Sequence, residues 1–174
     1  MRQKSVHLNS FFSIPGAYQL AVTGDVLFDN INFDPKNGNS FLVVPVAGVD
    51  KAVINAIQYA KLIAGNIVAV HILLNTSDKD SIASQWKMQS IDVPLIVLES
   101  PNASIIDPLR EYVDSIRLHN KESVVTVVLP VIVTSKWWHR LLFNHTAGLI
   151  ERAFEGKAGV ATMRVPFSLT NTAY

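Results

Sequence analysis

Apolar and polar positions along the chain follow two rhythms. Residues 40–46 (SFLVVPV), 66–74 (NIVAVHILL), 93–98, 123–133 (SVVTVVLPVIV) and 160–165 are short, nearly unbroken apolar runs, most of them rich in β-branched side chains. Runs of this kind predict strands covered on both faces. Between them, apolar residues recur every three or four positions. Residues 51–64 carry Val53, Ala56, Ile57, Ala60 and Ala64, one stripe of a helix. Residues 81–90 predict a second helix with Trp86 facing inward, and Ile105, Leu109, Tyr112 or Val113, and Ile116 mark a third. A last helix is predicted over about residues 145–155.

Local signals set the boundaries. Asp50 is placed to cap the first helix, and Gly65 sits where a left-handed residue would close it. Ser104 and Asp107 approximate a capping box, and Pro108 falls in the first turn, where its missing N–H costs little. Asn144 is positioned to cap the last helix and Gly156 to stop it. Pro130 and Pro166 cannot donate to a ladder, so the fourth and fifth strands are expected to end at them. Residues 134–143 then read as a basic, Trp-rich loop.

Alternating strands and helices give βαβαβαβαβ, an α/β fold with a five-stranded parallel sheet and helices on both faces. With the first strand central, the natural strand order is 3-2-1-4-5. Its switch point lies between strands one and four, flanked by residues 46–50 and 130–146. Open α/β sheets bind ligands in such a crevice. Residues 1–39 differ from the rest: Pro15-Gly16, Thr23-Gly24-Asp25, Asp34-Pro35 and Asn37-Gly38-Asn39 are turn signals around short apolar pieces. They read as an irregular arm or connector, with room for a short hairpin, ahead of a domain at 40–174.

Composition narrows the function. Of 174 residues, 49% are hydrophobic and 17% charged, which suits one globular domain with its own core. A net charge of +1 gives no broad basic field for nucleic acid. The absence of Cys removes a thiol nucleophile, a disulfide framework and a thiolate metal site. The five His residues lack metal-binding spacing, no Ser sits in G-x-S-x-G, and no carboxylate pair is placed for acid–base work. The chain therefore reads as non-catalytic, with neither catalytic residues nor a metal. No apolar run approaches the roughly 20 residues of a membrane helix.

Candidate ligand-binding residues cluster at the crevice: Val46, Ala47 and Gly48 after the first strand, and Ser135, Lys136, Trp137, Trp138, His139, Arg140, Asn144, His145 and Thr146 after the fourth. The two tryptophans suit stacking on a purine, and equally suit anchoring a core or an interface. Lys136, His139, Arg140 and His145 form either a phosphate site beside a helix N-terminus or a solvated basic loop. Asn144 and Thr146 read more simply as caps or turn formers. His71, inside a strand, reads as a satisfied core residue. Arg164, late in the last strand, suggests a contact at an exposed sheet edge.

VVPVAGVDKAVINAIQYAKLIAGNIVAVHI resembles the opening of a universal stress protein domain. DVPLIVLESPNASIIDPLREYV, VVTVVLP, WWHRLLFNHTAGLI and GVATMRVPFSL together resemble a subset of that family. It is the cytosolic C-terminal domain of bacterial permeases of the amino acid–polyamine–organocation superfamily, which include proton-coupled potassium importers of the KimA kind. The resemblance covers about residues 40–169. It implies a universal stress protein-like fold and a regulatory domain of a cation or amino-acid transporter, on the cytoplasmic face of the cell membrane. It also implies a transmembrane domain in the same polypeptide, a homodimer, and cyclic di-AMP as a regulatory ligand. The alternatives are a free-standing ATP- or AMP-binding stress protein and a ligand-free dimerisation module. ATP-binding members carry a glycine-rich loop after the fourth strand. Here no Gly occurs from Val131 to Ala147, so weak or absent ATP binding is expected.

Overall fold

The computed structural model describes residues 20–23, 40–74, 79–100, 102–119, 122–133 and 137–168, with the backbone alone at 20–23, 79–80, 119 and 137–144. In chain order the elements are β1 (Leu20–Thr23), β2 (Ser40–Val46), α1 (Lys51–Ile63), β3 (Asn66–Leu73), α2 (Lys79–Met88), β4 (Leu95–Glu99), α3 (Ile106–His119), β5 (Val124–Val133), α4 (Trp137–Phe154) and β6 (Val160–Ser168). The sheet order is β1-β4-β3-β2-β5-β6. Counted from Ser40, the five parallel strands run 3-2-1-4-5, as the alternation of apolar runs and helical stripes requires. Leu20–Thr23, within the segment read as an arm, adds a sixth strand antiparallel to β4.

Strand residues alternate between two cores. Phe41, Val43, Val125, Val127 and Leu129 face α3 and α4, where they meet Leu109, Tyr112, Val113, Ile116, Ile150 and Phe154. Leu42, Val44, Val46, Ala69 and Val97 face α1 and α2, where they meet Val53, Ala56, Ile57, Ala60, Ile82 and Trp86. The helices therefore cover both faces in pairs, and the inward stripes read from spacing are the buried ones. Asp50 Oδ1 accepts from the Val53 N–H at 2.8 Å, capping α1. Ser104 Oγ accepts from the Asp107 N–H at 3.2 Å.

Two helix-boundary expectations fail, each for a physical reason. Gly65 does not adopt a left-handed conformation: Ala64 leaves α1 in extended geometry and the chain enters β3 at once. Gly156 does the left-handed work at the end of α4, with φ of 71°. α4 starts at Trp137, so Asn144 is a mid-helix residue and not a cap. No Gly or Pro interrupts residues 137–147, and the helix propagates through them.

The strands also run through their prolines. β5 continues past Pro130 to Val133, and β6 past Pro166 to Ser168. The hydrogen bond from the Val125 N–H to the Gly159 carbonyl, 3.0 Å, fixes the alternation. Odd-numbered residues of β5 direct their backbone groups to β6, and even-numbered ones, including Pro130, direct theirs to β2. By the same rule Pro166 turns its missing N–H to the open edge, where no donor is wanted. The β2–β5 ladder runs from Ser40↔Val124 to Val43↔Val127 and stops, although both strands go on. The next bonds would need an N–H from Pro45 and one from Pro130. Neither exists, and the strands part there.

Candidate functional site

Where β2 and β5 part, at the carboxyl end of the sheet, lies a cavity of about 600 Å³. That volume is in the range of small-molecule sites. β2 contributes Pro45 and Val46, and the turn into α1 contributes Ala47, Gly48 and Asp50. β3 contributes its tip, with His71, Ile72 and Leu73. Leu129, Pro130 and Ile132 come from β5, Ser81 and Gln85 from α2, and Thr146, Ala147 and Ile150 from α4. A side chain at Gly48 would meet nothing within 4 Å, so the mouth is open on that side.

Its polar groups have defined partners. His71 stands opposite Val46 in the β2–β3 ladder, and its Nδ1 lies 2.9 Å from the Val46 carbonyl oxygen. A carbonyl only accepts, so Nδ1 carries the proton of this contact. Gln85 Nε2 donates to Ser81 Oγ at 3.1 Å, leaving the Gln85 carbonyl oxygen for other donors. Asp50 is spoken for at one oxygen by its helix cap. No Lys or Arg lines the cavity among the described residues. Nor is there a His/Asp/Glu cluster able to hold a metal among them.

The crevice predicted from the strand order is therefore present, but its walls differ from those expected. Val46, Ala47, Gly48 and Thr146 line it. His145 is exposed and is not on the wall. Trp137, Trp138, His139, Arg140 and Asn144 belong to the first two turns of α4, and their side chains lie outside the described residues, as do Ser135 and Lys136 entirely. Trp137 precedes Thr146 by nine residues, about 14 Å along a helix axis. His71, Ser81 and Gln85 were missed, and Asp50, inside the flanking stretch, was read only as a helix cap. The signal for His71 was available: parallel neighbours end together, so the tip of the second strand must flank the same crevice as the tip of the first.

Away from the cavity, Arg164 on β6 pairs with Glu151 on α4, with Nε 3.3 Å from Oε1 and a second contact from Nη2 to Oε2. The guanidinium holds the Glu151 carboxyl below its ordinary range. Arg164 also borders a shallow groove with Tyr59, Leu62 and Pro166 at the β6 edge.

A family model described as the KimA potassium transporter C-terminal domain matches residues 38–167. The potassium transporter KimA of Bacillus subtilis (strain 168) is 27% identical over 128 residues, which cover 72% of this chain and 21% of that protein. The chain thus spans about a fifth of the length of that relative. Among the described residues no helix is long and apolar enough to cross a membrane.

Proposed function

This chain belongs to the family of KimA potassium transporter C-terminal domains, and from that membership we propose that it is a non-catalytic regulatory domain of a potassium transporter. It sits at the cytoplasmic face of the membrane, tied to the transmembrane part of the same polypeptide. It works as a homodimer that senses a nucleotide, cyclic di-AMP, and its sheet is of the universal stress protein type. Binding shifts the geometry of the pair and so biases the attached membrane helices. A two-fold ligand suits a two-fold pair.

The observation that carries this reading is the cavity at the parted ends of β2 and β5, on a domain whose relative is a transporter. Support for pairing comes from β6, a nine-residue edge strand flanked by a groove with exposed Tyr59 and Leu62. The absence of glycine from Val131 to Ala147 weighs against a free-standing ATP binder, because side chains keep the backbone amides away from a triphosphate.

A thermal-shift panel of ATP, AMP, cyclic di-AMP and cyclic di-GMP tests it. Stabilisation by cyclic di-AMP alone is the expected result. A shift with ATP alone favours the stress-protein reading, and silence favours a ligand-free dimerisation module. Light scattering at tens of micromolar should return twice the monomer mass of 19.2 kDa.

A further inference from the structure

We propose that residues 24–39 cross the amino end of the sheet and seat their apolar side chains on Leu62, Ile63 and Met88. Neither this seat nor the ligand reading above needs the other. Thr23 ends β1 opposite Leu95, the first residue of β4, and Ser40 opens β2. Both ends of the segment are therefore held at the amino end of the parallel strands, with β4 and β3 between them. Three strand spacings separate the two ends, roughly 14 Å. The sixteen residues 24–39 reach roughly 50 Å when extended, so the segment has length to spare for a seat on its way.

The surface along that path is apolar and open. Each helix carries the chain back from the carboxyl end of one strand to the amino end of the next, so the C-termini of α1 and α2 stand at this end. There Leu62 and Met88 are each 82% exposed and Ile63 is 49% exposed. Both helices pack on the same face of the sheet, and Lys61 of α1 pairs with Asp92 in the turn before β4, so the two helix ends are neighbours. Residues 24–39 carry apolar partners for them: Val26, Leu27, Phe28, Ile31 and Phe33. Their charge fits too. Asp25, Asp29 and Asp34 against Lys36 leave the segment net negative, and Lys87 stands in the last turn of α2. Because the segment is tethered at both ends, its local concentration exceeds that of any free partner, which makes it the favoured occupant. The same two helices begin at the cavity wall, with Val53 on α1 and Ser81 and Gln85 on α2. Connector and cavity thus touch α1 and α2 from opposite ends.

The chain has no cysteine, so Leu62→Cys and Met88→Cys each introduce a single thiol whose reaction with a small disulfide reagent reports its cover. Leu118→Cys is the open control, because Leu118 is 73% exposed at the end of α3, on the other face of the sheet. In the 174-residue chain the thiols at positions 62 and 88 are expected to react about tenfold more slowly than the one at 118. Adding Phe28→Ser and Phe33→Ser should restore most of that rate. Chymotrypsin gives a reading on the unaltered chain: cleavage after Phe28 and Phe33 should be slow, and should quicken in a Leu62→Ser, Met88→Ser chain, whose changes fall on exposed side chains. Equal reactivity at the three positions, shielding that survives Phe28→Ser and Phe33→Ser, or rapid cleavage that ignores Leu62 and Met88 overturns the seat. Shielding that grows with protein concentration assigns the patch to a second copy. Shielding that appears only with phosphatidylcholine–phosphatidylglycerol vesicles assigns it to a lipid surface. Either of these overturns it as well.

Discussion

The indole N–H of Trp86 donates to the Val93 carbonyl at 2.9 Å, closing the turn between α2 and β4 from inside. Trp86 is buried, and the bond joins the only polar atom of its side chain to a backbone acceptor in the turn just before β4. Trp86→Phe keeps most of the packing and orphans that carbonyl, at a cost of about 1–3 kcal/mol. Trp86→Ala adds a cavity and should cost about 3–5 kcal/mol. Urea unfolding of both variants measures the difference. A Trp86→Phe chain as stable as the parent would mean that the hydrogen bond adds nothing.

Two glycines with the same left-handed φ, 71°, should respond differently to alanine. At Gly156 a new Cβ meets nothing within 4 Å, so only backbone strain of about 1 kcal/mol is expected. At Gly159 it would lie 2.6 Å from Nη2 of Arg117 and 2.9 Å from Cζ and Nε. The guanidinium is the far end of a flexible side chain and can give way, so Gly159→Ala should destabilise only modestly more than Gly156→Ala. In an Arg117→Ala background the excess should shrink, a coupling that a double-mutant cycle reads directly.

Burial pushes the Tyr112 hydroxyl well above its ordinary pKa of 10.0. A raised folded-state pKa favours the neutral form in the native protein. Its contribution is complete below the unfolded value and is lost as pH rises beyond it. Melting temperature should thus fall from about pH 10 upward, and Tyr112→Phe should flatten that alkaline limb while leaving pH 7 to 8 little changed.

Lys61 pairs with Asp92, joining the end of α1 to the loop before β4, and this hydrogen bond lowers the Asp92 pKa from 3.8. A depressed carboxyl stabilises above its unfolded pKa, and the effect is lost as pH falls through the folded value. The pair is largely exposed, so screening should keep its worth under about 1 kcal/mol. Asp92→Asn should soften the acid limb below about pH 4 and shift the melting temperature at neutral pH only slightly.

Much of the fold was legible because its signals were local and periodic. The stripe of Val53, Ala56, Ile57 and Ala60 and the runs around Val43 and Val127 needed no long-range information. What misled was punctuation. Pro130 and Pro166 read as stops, but a proline halts a ladder only where its missing N–H faces a partner. Asn144 read as a cap, yet nothing between Trp137 and Ala147 breaks a helix. Of the candidate residues, Val46, Ala47, Gly48 and Thr146 line the cavity. His71 escaped because its place on the wall comes from its register against Val46, which no pattern within its own strand reveals.

Pro45 and Pro130 have one more effect. Drawing β2 and β5 together beyond Val43 and Val127 would form no new bond at those two positions, so the gap has little reason to zip shut when empty. A guest entering it finds room already made and need not force the strands apart. The elements left bordering that open space are the turn after Val46 and α4, not a continuous pair of strands.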